Sequence, residues 1–181
     1  MARRVLVLAG DAGADPVVGP WLAALADSRR RTMEALRDLP PESVDAVPGA
    51  EPNAIGTLLY HVAAIEADWL FEDILGPESG VEWPAELFTF DVREDGGRLT
   101  PVLGVPLGDH LGRLERARRL LNDHLRPMSA GDFHRARARH DYDVSAAWVV
   151  HHLLQHEAEH RAQMSAARSW FESEALTFAS G

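Results

Sequence analysis

Apolar residues recur at three- and four-residue intervals in four separate stretches of the chain, and segments rich in Pro and Gly divide them. The first stretch, 16–39, sets Val18, Leu22, Leu25, Met33 and Leu36 on one stripe and stops at Pro40-Pro41. The second opens at Asn53, a residue suited to an N-cap, and carries Ile55, Leu58, Val62, Ile65 and Trp69 toward Gly76-Pro77. In the third, 106–126, Leu107, Leu111, Leu114, Leu121 and Leu125 stay in register until Pro127. The fourth, 144–173, is the longest. Between the second and third, residues 76–105 are broken repeatedly by Pro and Gly around Trp83, Phe88 and Phe90, which reads as a crossover packed by its own aromatics. The pattern predicts an all-α fold, a four-helix bundle with a long crossover connection between helices 2 and 3. Ahead of it, Arg4 to Leu8 reads as a short strand or as an arm on a partner subunit, within an N-terminal arm of residues 1–15.

Composition narrows what such a bundle does. A chain of 181 residues, 46% hydrophobic and 25% charged, is expected to form a single domain, 1–181, with its own core. The net charge of -10 is the wrong sign for neutralising phosphates, so no nucleic acid and no anionic membrane is expected as a partner. All 18 basic residues are Arg, which removes Schiff-base lysines and the P-loop lysine. With no Cys there is no thiolate nucleophile and no cysteine metal site, so any thiol chemistry must use an external thiol. The first ten residues hold too short an apolar run for a secretion signal, and no 18-residue apolar run follows; a cytoplasmic location is expected.

Histidine carries the candidate chemistry. Of nine His, five are His61, His151, His152, His156 and His160. On the fourth stretch Val149, Leu153, His156, His160, Ala167 and Phe171 follow core spacing, so two imidazoles occupy positions where an aliphatic side chain would contribute about 1.5–3 kcal/mol of burial. At i and i+4 their rings share one helix face about 6 Å apart, close enough to converge on one cation. His61, between Leu58 and Ile65, lies at the edge of the second stripe and can supply a third donor; alone, it serves equally as a hydrogen-bonded core residue. His152 extends the run to H-x3-H-x3-H but rotates off the stripe, as His151 does further. His110, His124, His134 and His140 have no partner pattern and are expected at the surface or at helix ends.

His156-Glu157-Ala158-Glu159-His160 also matches the H-E-x-x-H of metallopeptidases, in which Glu157 would be the general base. That reading requires a third ligand farther along, and the H-x-x-G-x-x-H extension is not there.

The stretch Asn53-Ala-Ile-Gly-Thr-Leu-Leu-Tyr-His61-Val-Ala-Ala-Ile-Glu-Ala-Asp-Trp69, followed by Trp148-Val-Val-His-His-Leu-Leu-Gln-His156-Glu-Ala-Glu-His160-Arg-Ala-Gln163, resembles the DinB-like metal-binding family over residues 17–168. The resemblance implies a four-helix bundle, often a homodimer, that holds a divalent ion on His61, His156 and His160. One departure is Ala162, where the family commonly has Gly. Characterised relatives include transferases and isomerases that use a low-molecular-weight thiol such as mycothiol, bacillithiol or glutathione. The expected cofactors are therefore a divalent metal ion, zinc or nickel first, and a low-molecular-weight thiol. The expected activity is a metal-dependent thiol S-transferase or hydrolase acting on a small-molecule substrate. The alternative is a non-catalytic metal-binding bundle with a role in stress.

Three neutral imidazoles leave an open position on the ion, as in catalytic rather than structural zinc sites. Arg29 and Arg118 fall inside the apolar stripes of the first and third stretches, where a buried charge needs an acceptor. They are candidates for holding a carboxylate of substrate or cofactor; pairing with Glu66, Glu34 or Glu115 would satisfy them equally. Tyr60, Trp69 and Trp148 read as bundle core rather than a substrate cage.

Overall fold

The computed structural model describes residue 3, residues 5–49 and residues 53–179. Four long helices form the bundle: α1 (Val18–Ala35), α2 (Ile55–Asp68), α3 (Leu107–Leu125) and α5 (Ala146–Ala179), with a short α4 (Ala130–His134) before the last. Helix α1 packs on α5 and α3, and α2 packs on the same two. Gly56 lies against His110, and Glu66 pairs with Arg118, so α2 and α3 run parallel. Thr32 meets Glu157, and Ala35 meets Arg168, so α1 and α5 run parallel too. Parallel neighbours in sequence need a long return path, and the predicted crossover provides it.

Helix α2 is buried almost all round: every residue from Ile55 to Ala64 is inaccessible or nearly so. A helix buried on every face belongs in the centre of a bundle. Its first turn has no side-chain cap; the residue ahead of it is Ala54 rather than Asn53, and Gly56 N–H donates instead to Val44 O (2.9 Å). Beyond Asp68 the helix widens to π winding over Trp69–Leu75 and ends at Gly76, whose φ of 79° only glycine adopts freely. The crossover is seated by Leu87, Phe88 and Val102 in the core and by Tyr60 Oη, which donates to Phe90 O (2.7 Å) and accepts from Phe90 N–H (2.9 Å).

Three expectations need correction. First, the residues between the third stretch, 106–126, and the fourth, 144–173, form further elements, and the last helix is displaced from its expected bounds. Ser129 caps α4 by accepting from Asp132 N–H (3.1 Å), and Arg137–Ala138 (β1) pairs antiparallel with Asp143–Val144 (β2). Val144 is therefore in a strand, and α5 starts at Ala146 and continues to Ala179. Second, Val5 to Leu8 form no strand and are 55–78% exposed; Arg4 lies outside the described residues. Third, His110 does lie at a helix end, in the first turn of α3, but it is fully buried rather than at the surface, with Nε2 lacking a partner and burial holding its pKa down to about 4.

His110 also explains Gly56. A Cβ there would stand 3.0 Å from His110 Nε2 and 3.1 Å from Val44 Cγ1. Gly56→Ala is expected to destabilise the protein by about 1–3 kcal/mol through overpacking at the α2–α3 contact. Urea denaturation would check it, and an unchanged midpoint would mean that the contact relaxes freely. No helix among the described residues is long and apolar enough to cross a membrane.

Candidate metal centre

Helix α2 carries His61 into the bundle, only 3% exposed, where it meets the half-buried His156 and His160 of α5. Their spacing of four residues puts the last two on one face, as the sequence predicts. His156 Nε2 lies 3.2 Å from His61 Nε2 and 3.1 Å from His160 Nε2, and the three donor nitrogens fall within 4.8 Å of one another. Nitrogens bound at about 2.0–2.1 Å to one tetrahedral ion stand about 3.3 Å apart, so the cluster has the dimensions of a ligand set.

The protonation states agree with that use. Burial, with the neighbouring imidazoles adding to it, lowers His61 to about 4 and His156 to about 3; burial also lowers His160. Each ring is therefore neutral near pH 7, the form that ligates. His160 Nδ1 is 2.7 Å from Gln163 Oε1, and an amide oxygen only accepts, so Nδ1 holds the proton and Nε2 keeps its lone pair for the cluster. His160 Nε2 thus faces His156 Nε2 as an acceptor, and the group of three nitrogens could hold a cation. Among the described residues no Asp, Glu or further His joins the group.

Gln163 escaped the sequence reading as an orienting residue, although its i+3 spacing from His160 is a recognisable signal. Gln163→Leu is expected to weaken metal binding about 10- to 100-fold without abolishing it, as loss of a ligand's orienting partner does. Competition against a chromogenic chelator would measure this, and an unchanged affinity would remove Gln163 from the site.

Arg29 and Arg118 are placed differently from the expectation of a ligand carboxylate. Arg29 donates to Glu157 Oε1 (2.7 Å), Glu66 Oε2 (2.9 Å) and Leu114 O (2.7 Å). Arg118 donates to both Glu66 oxygens (2.7 and 2.8 Å), to Glu157 Oε2 (2.9 Å) and to Leu25 O (2.6 Å). The acceptors that buried guanidiniums demand thus come from the chain itself, one of them, Glu66, among the partners the sequence suggests; Glu34 and Glu115 pair elsewhere, with Arg30 and Arg119. The H-E-x-x-H reading fails for the same reason. Glu157 is 2% exposed and also accepts from Thr32 Oγ1 (2.9 Å), so its oxygens are engaged in the ion-pair core. Burial pushes its pKa up, but Arg29 and Arg118 outweigh burial and hold it below the ordinary value.

Around the cluster, His152 stacks on Trp148 (5.3 Å, 8° between planes) and lies 5.8 Å from His156 by ring centroids, outside the ligand group. Trp148 is 49% exposed, so it is surface rather than core, whereas Tyr60 is buried as expected. His151, His134 and His140 are exposed, and Ala162 faces solvent, where its methyl group disturbs nothing.

The DinB superfamily model matches residues 24–164, a span that contains all three clustered histidines and the four buried ion-pair residues. No curated protein matches the chain. Helical architecture, the three-histidine cluster and this match over most of the length agree, and the chain belongs to the DinB superfamily.

Proposed function

We propose that the protein is a metal-dependent enzyme that joins the sulfur of a low-molecular-weight thiol to a small electrophilic substrate, with His61, His156 and His160 as the metal ligands. The convergence of three Nε2 atoms, joined by no carboxylate or further imidazole among the described residues, carries this reading, because a fourth position would be left to an exchangeable ligand. A bound divalent ion would lower the pKa of a thiol and supply the thiolate that a chain without Cys lacks. The chain's own part is to hold three neutral imidazoles in place, with Gln163 fixing the His160 tautomer. In the transfer a carbon–sulfur bond forms as the bond to the leaving group breaks; the leaving group takes the electron pair and the thiol proton passes to solvent.

The zinc- and nickel-loaded chain should be incubated separately with glutathione, bacillithiol and mycothiol and a chromogenic aryl halide. Turnover that needs both metal and one of these thiols, and that disappears in His61→Ala, is the expected result. Full metal occupancy without turnover on any thiol would reject the transferase and favour the non-catalytic binder.

A further inference from the structure

The hairpin before α5 gathers arginines that the histidine centre does not account for. Arg135 has extended backbone and Arg137–Ala138 form β1, so the run from Arg135 to Arg139 brings three arginines close together ahead of the turn. All three line a cavity of about 640 Å³, within the range of small-molecule sites. Ile74, Leu75 and Met128 give the cavity an apolar wall.

These arginines are incompletely neutralised. Arg135 is 3.5 Å from Asp132, but neither Arg137 nor Arg139 forms an ion pair with a described carboxylate. Arg137 donates to Arg135 O (3.0 Å), and Arg139 donates to Asp73 O (2.6 Å) and Ala138 O (3.0 Å). Arg139 Nε is buried with no acceptor at all. Glu78 is the other carboxylate on the lining, leaving three guanidiniums against two carboxylates in a protein whose net charge is -10. The cluster therefore runs against the overall charge of the molecule.

We infer that this cavity binds a small organic anion, with Arg137 and Arg139 gripping a phosphate or paired carboxylates and the Ile74–Met128 wall covering an apolar body. Guanidinium forks match both oxyanions, and their neighbouring backbone bonds hold two of them ready. Burial and Arg135, with a smaller push from Arg139, lower the Arg137 pKa against the opposing pull of Asp132. The inference is independent of metal binding, since the cavity shares no residue with the histidine cluster.

Titration calorimetry of the full chain with phenyl phosphate and with isophthalate, neither a strong chelator, tests it. One saturable site per chain is expected; preference for one probe identifies the head group as phosphate or dicarboxylate. Arg137→Gln should weaken binding about tenfold or more, the loss expected of one charge-assisted hydrogen-bonding group, while Arg116→Gln on exposed α3 surface should not. Met128→Trp, which fills the cavity and keeps every charge, should block binding as well. Circular dichroism and metal uptake should match the parent in each variant. No saturable binding of either probe, or Arg137→Gln and Met128→Trp titrating like the parent protein, would overturn the inference.

Discussion

Replacing His156 and His160 together with alanine is expected to abolish metal uptake. Elemental analysis after growth in zinc- or nickel-supplemented medium should find about one ion per chain in the parent protein and none in the variant. Loss of a partner that merely orients a ligand weakens sites by about 10- to 100-fold, and removing two of three ligands must exceed that, since His61 alone offers one nitrogen. Both residues are half-buried rather than fully enclosed, and α5 keeps Val149, Val150, Leu153, Met164 and Ala167 in the core, so the variant should stay helical. Circular dichroism would verify that. A parent protein that takes up neither zinc nor nickel on titration would return the three imidazoles to simple core packing and remove the basis of the proposed activity.

Arg118→Met is expected to destabilise the protein by about 3 kcal/mol or more, because it leaves Glu66, only 1% exposed, short of its bidentate partner. Each long helix supplies one member of this network: Arg29 from α1, Glu66 from α2, Arg118 from α3 and Glu157 from α5. Two cations and two anions balance, so any single deletion strands a buried charge. Removing Glu66 and Arg118 together should cost less than the two separate losses added, with a coupling energy of about 0.5–3 kcal/mol. Urea denaturation of the four proteins of this cycle measures it. Changes below about 1 kcal/mol for Arg118→Met would mean that the network is solvated. The same network has a consequence for the metal centre: Glu157 adjoins His156, and Glu66 lies five residues from His61, so the ion pairs fix the rotation of α5 and α2 about their axes. Arg118→Met should accordingly weaken metal binding as well as stability.

Much of the site was legible one residue at a time. His156 and His160 stood at core spacing, and a helix period of 3.6 puts i and i+4 on one face whatever surrounds them. His61 was harder, because it stands at the edge of the second stripe, and α2 is buried on nearly every side, so the stripe by itself leaves its direction open. His110 went unrecognised: its partners are Gly56 across the α2–α3 contact and Arg113 on its own helix, and no spacing pattern announces a lone buried imidazole. The elements within 127–145 were missed because the strands of its hairpin, Arg137–Ala138 and Asp143–Val144, are too short to leave a periodic signature.

By itself the sequence determined the four helices, the length of the crossover and the pairing of two histidines on one face, because each follows from covalent spacing and local burial. Only the tertiary structure decided that α2 and α3 run parallel, that Arg29 and Arg118 pair with both Glu66 and Glu157, and how near His61 stands to the two histidines of α5. Those outcomes join residues between 37 and 128 positions apart in the chain. Local periodicity states which face of a helix is buried, whereas the partner that covers it is chosen by packing all four helices at once.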